Sequence, residues 1–567
     1  MFKNKFKGLQ MDAISKQVDV LPLVKHYMEE MNLHEIFDRH IPNANGAEIK
    51  PAQVLCTMVT NILAAAKPLY HIEEWLIDYM DGQTEEGELA SKYNDDRCGR
   101  NLDLLYDANR GSILTEAVAA AIRVHDLETS HIHNDSTTIT FAGAYEEQSE
   151  EAVQIEYGHN KDHRPDHKQI VFGLNITEDG HVPIGYHLYD GSTADVVTHQ
   201  PNWDYLREFL GKEDFTYTAD CKLFSIETLR HIDSHGGIFI TLVPRNIKEI
   251  KGFIENVKAG EEIPWEPGYI GSKSRKKDKN NIHRTYDNKM SADGYRIIWI
   301  HSSDKDKQDK CTRERRLTKA EGELKLLSGK LNKYYLKTQG QIEKKLKKIC
   351  KNTGKQLTVE IKAEEITERK QVTPGRSSEN TQYKEDKKTI YSLDWHRNEI
   401  VIEQELRADG MFPLITNDKH INAVDALQTY KQQPFLEKRF QTKKSILKVA
   451  PVFLNKNERI EAMVFLYFIA LMLVSLIERN IRQQMKENDI ESLPILPTGL
   501  KTKTPTWNNI RYYFRSIYLS IIIDGEKIVS TTIKGVTKLH KQLLELLKIP
   551  VSKYGNLKDN WWEFEFS

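Results

Sequence analysis

Three acids, a phenol and an ammonium are the residues of this chain whose types suggest a shared chemistry. Asp135 lies in HIHNDSTTITF (131 to 141) and Asp220 in TADCKL, while Glu437 follows Tyr430 by seven residues and precedes Lys444 by seven in YKQQPFLEKRFQTKKSILKVAPVF. Two divalent cations held a short distance apart need acidic oxygens converging from different elements, because their charge must be balanced and their geometry fixed. On a continuous helix, steps of seven bring Tyr430, Glu437 and Lys444 close to one face. A metal-binding carboxylate flanked by a phenol and an ammonium suits phosphodiester chemistry. Taken singly each residue is ordinary: an aspartate at a strand end is commonly a cap or turn residue, and by spacing alone residues 430 to 453 read as a surface helix with incidental charge.

The elements around the acids decide whether they can meet. HIHNDSTTITF alternates like a strand, yet it keeps a carboxylate among threonines where a buried strand would take Val or Ile. KQIVFGLNI (168 to 176), the turn signal Glu178-Asp179-Gly180 and HVPIGYHLYDG (181 to 191) then read as a hairpin beside it. THQPNWDYLREFLG reads as a helix, FTYTADCKLF (215 to 224) as a strand running into Asp220, SIETLRHIDSHGG as a helix and IFITLVPR (238 to 245) as a strand. The order β-β-β-α-β-α-β gives a mixed sheet with helices on it, the order of an RNase H-like core. In that topology the first and fourth strands are parallel neighbours, so the carboxylates of Asp135 and Asp220 can meet.

The whole chain is expected to be α/β: an RNase H-like mixed sheet with helices, interrupted by an inserted α+β region with a helical hairpin, plus a helical N-terminal domain. Residues 1–128 form that N-terminal domain, with VDVLPLVKHYMEEMNLHEIFDRHI and IKPAQVLCTMVTNILAAAK at helical spacing and Pro51 near a helix start. Packing or dimerisation and a DNA-end contact are equally open for it. Residues 129–246 begin the sheet domain and 247–420 are the insertion. Within the insertion GSKSRKKDKNN is a basic loop, and Leu317, Ala320, Leu324, Leu327, Leu331 and Tyr334 make a coiled-coil seam, with IEKKLKKI beyond a break completing a helical hairpin. The hairpin lysines read as a solvated face before a nucleic-acid grip. TIYSLDWHRNEIVIEQEL and MFPLITND read as strands. Residues 421–482 carry the helix with Glu437, and 483–567 form a C-terminal region in which TWNNIRYYFRSIYLSIIID reads as a helix leading into a packed strand rather than a base-stacking surface.

At 567 residues, 39% hydrophobic and 29% charged, the chain is of ordinary globular class with several domains, and its net charge of −1 excludes a histone-like polyelectrolyte. Five scattered cysteines with no C-x-x-C spacing indicate neither a disulfide framework nor a zinc ribbon, and a reducing cytoplasm is expected. The start MFKNKFKGLQMDAISKQ lacks the apolar run of a signal peptide, and Ala462 to Ile477, bounded by Glu461 and Glu478, reads as a core helix.

Other residues carry weaker signals. His159, His163 and His167 recur at steps of four in GHNKDHRPDHK, but Gly158 and Pro165 speak against the helix that would align them on a metal, and a basic DNA-facing loop is the better reading. His131 and His133 share the strand face of Asp135 and read as partly buried sheet residues. Cys221, next to Asp220, is expected on the opposite face as a small core residue.

Taken together the acids and their surroundings resemble a DDE transposase of a bacterial insertion sequence, in the insertion-sequence-four superfamily, whose helix carries Tyr, two residues, Arg, three, Glu, six, Lys. Tyr430, Glu437 and Lys444 keep that register, with Gln433 at the Arg position. GHNKDHRPDHKQIVFGL, DGSTAD, TADCKLF and ITLVPRN resemble the sixteen-thirty-four-type group, over roughly residues 10 to 480. The resemblance implies catalytic Asp135, Asp220 and Glu437 holding two Mg2+ ions, with Mn2+ a substitute, for hydrolysis and strand transfer by in-line attack. It implies DNA contacts at Tyr430, Gln433 and Lys444, double-stranded DNA at transposon ends and target as partner, a homodimer on DNA and a bacterial, nucleoid-associated location. Gln433 cannot make the charge-assisted bidentate contact of an Arg, so a hairpin step on the opposite strand is expected to be weakened. A metal-dependent nuclease of the same fold and a catalytically inactive DNA-binding derivative are the alternatives, the intact acids speaking against the second.

Overall fold

The computed structural model describes residues 11–43, 48–79, 90–161, 164–271, 280–333, 335–372, 374, 376, 382–446, 454–524 and 527–554. Its strands in chain order are β1 (Met11–Gln17), β2 (His131–Phe141), β3 (Lys168–Thr177), β4 (Pro183–Tyr189), β5 (Thr216–Ala219), β6 (Ile238–Leu242) and β7 (Glu266–Gly271). They continue as β8 (Asn281–Met290), β9 (Arg296–Ser302), β10 (Leu357–Gln371), β11 (Tyr383–Arg397), β12 (Met411–Thr416), β13 (Tyr518–Asp524) and β14 (Lys527–Lys534). The chain divides into two compact units, one of residues 1–241 with 428–567 and one of residues 242–427. The second unit runs around the segment 247–420 that the sequence set apart, while the N-terminal helices and the C-terminal region belong to the first.

In the first unit the strands β4-β3-β2-β5-β6 lie side by side. β2, β3 and β4 form an antiparallel meander, and β5 and β6 run parallel to β2. Helices His199–Leu210 and Ile226–Ser234 make the crossovers on either side of β5, giving the order read from the sequence. The local signals are physical ones: Gly211 ends the first helix at φ 63, and the Ser225 side chain caps the second by accepting from the Thr228 N–H. β3 lies between two neighbours and is buried at every residue after Lys168, as a central strand must be.

Under the sheet runs the helix Asn457–Glu487, long and apolar enough to cross a membrane by length and composition, with 94% of its most apolar 18-residue window buried inside the protein. It packs on Pro51–Ala64, Asp95–Asp107 and β4, so it is the core helix expected from the sequence. One correction concerns the N-terminus. Met11–Gln17 is a strand and pairs antiparallel with β13, which also pairs with β14, so the first described residues are tied to the last part of the chain.

In the second unit β12-β9-β8-β7 lie side by side. The seam residues Leu317, Ala320, Leu324 and Leu327 on helix Ser303–Ser328, and Leu331 beyond it, are buried, but their cover is shared: Val359, Ile361, Tyr391, Leu393 and Trp395 of the β10–β11 ribbon pack on them together with Leu346 and Ile349 of helix Gln339–Ile349. The expected two-helix seam is thus a helix pair lying on a hairpin of two 15-residue strands. Tyr334, residues 272–279 of the basic loop and His163 lie outside the described residues. A second correction is Glu399–Arg407, read as strand but helical, because the Asn398 side chain caps it by accepting from the Val401 N–H.

Candidate active site

β2 pairs in parallel with β5 through His131–Thr216, Ile132–Tyr217 and His133–Thr218. Two residues further along each chain stand Asp135 and Asp220. β5 ends at Ala219 while β2 runs on to Phe141, so past this point β2 has lost its neighbour on that side. The chain turns there: the Lys222 N–H donates to Asp220 Oδ1 at 2.8 Å, and Thr241 Oγ1 on β6 donates to the Asp220 carbonyl at 2.7 Å. Strand alternation no longer applies in this turn. Cys221 is accordingly half-buried beside the site and not on the opposite face, and burial followed by the Asp220 charge raises its thiol pKa, which disfavours the thiolate.

The third acid arrives on a separate element. Tyr430 ends helix Ala423–Tyr430, and Glu437 lies on the next, Gln433–Ile446, so the single helix face expected for Tyr430 and Glu437 is broken. Pro434 is the reason: it has no N–H to give the Tyr430 carbonyl, which ends the first helix and starts the second in its first turn. Burial raises the Tyr430 phenol well above its usual value, and the charges of Asp220, Cys221, Asp135 and Glu437 add to it.

Two anchors hold the second helix. Gln433, only 8% exposed, donates from Nε2 to the Asn134 carbonyl at 2.7 Å and meets His133 Nδ1 with Oε1 at 3.3 Å, so its amide is spent on β2 beside Asp135. Arg439, two residues past Glu437, donates to Glu478 Oε2 at 2.6 Å and to the carbonyls of His181 and Gly180, tying the helix to the core helix and the β3–β4 turn. Phe435 stacks on His181 with ring centroids 4.1 Å apart. Glu437 itself is exposed. Lys444 falls on the same helix, and its side chain lies outside the described residues.

Two residues absent from the sequence-derived site complete it, Lys161 and Asp195. Lys161 Nζ donates to the Ser136 carbonyl at 2.6 Å and to Ser136 Oγ at 2.7 Å, and lies 3.2 Å from Asp195 and 3.9 Å from Asp135. Ser136 Oγ donates to Asp195 Oδ1 at 2.6 Å. Lys161 belongs to GHNKDHRPDHK, a stretch marked as basic and DNA-facing without a role for this residue, and Asp195 closes DGSTAD. The described residues of this loop are not helical, and among them His167 sits with Arg164 and Asp166.

The electrostatics follow from burial and crowding. Burial pushes the Asp135 carboxyl up to about 7; Lys161 and the Ser136 N–H oppose it, and the like charges of Asp220 and Asp195 add to it. Burial also raises Asp195, but the Ser136 hydrogen bond and Lys161 outweigh it and hold that carboxyl below its ordinary value. Beneath them Asn134, Asn175 and Asn202 are buried and linked side chain to side chain at 2.8 Å, and Asn202 donates onward to the Tyr217 hydroxyl at 2.9 Å. This ladder fixes the residue before Asp135.

Among the described residues no group of three His, Cys, Asp or Glu stands close enough together to hold a metal ion. The pair Asp135 and Asp220 fits a hard divalent cation as two oxygen donors whose mutual repulsion a cation would relieve, and an ammonium already stands beside Asp135.

Residues 13–119 match the family described as a domain of unknown function, DUF4277, a match that ends before Asp135. Comparison with curated proteins gives no match. Among solved structures the chain is similar to piggyBac transposase in a cryo-EM synaptic complex with hairpin DNA, at 9% sequence identity and a TM-score of 0.37, over 89% of this chain and 83% of that one.

Proposed function

We propose that the chain is a DDE-type transposase with an RNase H-like catalytic core, which binds the terminal inverted repeats of an insertion sequence, cuts phosphodiester bonds and joins the 3′-hydroxyl ends to target DNA. The observation that carries this reading is the parallel pairing of β2 with β5: two residues beyond their last paired residues, His133 and Thr218, stand Asp135 and Asp220. Asp135, Asp220 and Glu437 would hold two Mg2+ ions, Mn2+ substituting; when bound, these supply Lewis-acid activation of the attacking oxygen and charge neutralisation at the leaving one.

The chain's own groups do the rest. Asp135 has to shed its proton to act as a ligand, which its burial and, less strongly, the like charges of Asp220 and Asp195 resist. Tyr430 keeps its proton and can therefore donate a hydrogen bond to a phosphate oxygen. Arg439 and Gln433 hold the backbone on both sides of Glu437, so this exposed carboxylate is presented from a fixed helix. Lys444, two turns further along the same helix, would supply a cationic phosphate contact. Joining two DNA ends calls for two such sites, hence a dimer on DNA.

The test is cleavage of a DNA fragment carrying the element's own terminal repeat with Mg2+, comparing wild type with Asp220→Ala. Nicks at the repeat boundary that vanish in the variant are expected. Binding of the repeat without cleavage by either protein would leave a DNA-binding derivative, and cleavage without joining would leave a nuclease.

A further inference from the structure

The Lys161 ammonium is fully provided for without Asp135. Its three N–H donors have the Ser136 carbonyl, Ser136 Oγ and Asp195 within hydrogen-bond reach, whereas Asp135 stands 3.9 Å away, an ion pair without a hydrogen bond. The backbone around it is fastened independently: the Lys161 N–H donates to Thr138 Oγ1 at 3.3 Å and Asn160 Nδ2 to Thr140 Oγ1 at 3.1 Å, both threonines on β2. Those threonines are what HIHNDSTTITF carries in place of apolar residues. The loop thus hangs from the strand of Asp135 and delivers one positive charge to it, while the group that could keep this charge elsewhere, Asp195, is already in contact.

We infer that Lys161 is a tethered counter-cation of Asp135 which a divalent cation displaces, and that Asp195 is the carboxylate that retains the displaced ammonium, so that the two residues set how readily the site loads with metal. This rests on the reading of Asp135 and Asp220 as metal ligands. An ammonium about 4 Å from a ligand carboxylate opposes an arriving dication, so its removal strengthens metal binding. Loss of Asp195 acts the other way: among the described residues the ammonium keeps Asp135 as its carboxylate partner, and a negative charge near the site is gone.

The experiment is titration of the full chain with Mn2+ alone, in the absence of DNA, following free Mn2+ by electron paramagnetic resonance. Wild type binds and Asp220→Ala binds at least roughly tenfold more weakly. Against that background Lys161→Met tightens Mn2+ binding roughly fivefold, Asp195→Asn weakens it by a similar factor, and Lys161→Arg, which keeps the charge, restores wild-type affinity. A Lys161→Met protein that binds Mn2+ no more tightly than wild type, or an Asp195→Asn protein that binds it better, overturns the assignment while leaving the metal site standing. Equal binding by wild type and Asp220→Ala, or none by either, overturns the metal site and this assignment with it.

Discussion

Gln433 and Asn134 are joined across almost three hundred residues of sequence: the Gln433 Nε2 donates to the Asn134 carbonyl at 2.7 Å while its Oε1 faces His133 Nδ1 at 3.3 Å. This side chain therefore fastens the helix that carries Glu437 to the strand that carries Asp135. It is buried and turned inward.

With the amide committed to β2, no cationic clamp on the DNA end comes from this position. The expected products of repeat-end cleavage are nicked or blunt ends without hairpins, read on a denaturing gel; hairpinned ends as abundant as the first-strand nick would contradict the role given to Gln433. Gln433→Ala leaves the buried Asn134 carbonyl without this donor and His133 without this partner, costing about 2 kcal/mol in chemical denaturation, with cleavage falling further than that loss of stability accounts for.

Asp135 predicts a pH dependence of stability. Its folded carboxyl titrates at about 7 against 3.8 for the ordinary group, so between those values the folded state binds the extra proton. That contribution is fully present below pH 3.8 and is lost as pH rises through 7. Asp135→Asn lacks the charge that is costly to bury, so its melting temperature should exceed that of wild type at pH 8 by the equivalent of about 1–3 kcal/mol, with the gap closing toward pH 4. A gap that widens on acidification would refute the environment assigned to this carboxyl.

The strand order and the parallel pairing of β2 with β5 were legible because they depend on period-two alternation and on turns that sequence marks locally. The Pro434 break was legible in principle, since a proline denies its N–H to Tyr430 whatever surrounds it. Lys161 and Asp195 were not: their roles depend on hydrogen bonds from a loop to Thr138, Thr140 and Ser136, which no periodicity encodes. The pairing of Met11–Gln17 with Tyr518–Asp524 was equally hidden, because a short strand has no signal for a partner five hundred residues away. Cys221 was misplaced because alternation was carried past the last paired residue.

Arg439 and Glu478 make a buried ion pair, 6% and 8% exposed, and Glu478 also accepts from the Trp507 N–H at 2.8 Å. Arg439→Met removes the cation hydrogen-bonded to that buried carboxylate and should cost about 3–5 kcal/mol. Arg439→Lys keeps the charge but not the two further contacts to the His181 and Gly180 carbonyls, and should lose less stability while still disturbing the Glu437 helix. Urea unfolding of both variants checks the order; equal losses would mean the pair does not hold the helix.

Gly158 and Gly191 test whether the Lys161 loop is positioned by backbone contact. A Cβ on Gly158 would lie 2.0 Å from the Gly191 carbonyl oxygen, and one on Gly191 would lie 2.0 Å from the carbonyl oxygen of Gln169 on β3. Neither obstacle is a flexible side chain that could swing away, so the loop has to lift from β3. Gly158→Ala should therefore destabilise by about 2–3 kcal/mol, the upper part of the range for overpacking. Because Lys161 follows only three residues later, the same shift withdraws its ammonium from Asp135 and Asp195. Gly158→Ala should then resemble Lys161→Met in binding Mn2+ more tightly, at a temperature where both proteins are folded. A Gly158→Ala protein as unstable as expected but with wild-type Mn2+ affinity would show that Lys161 holds its place through Thr138 and Ser136 alone.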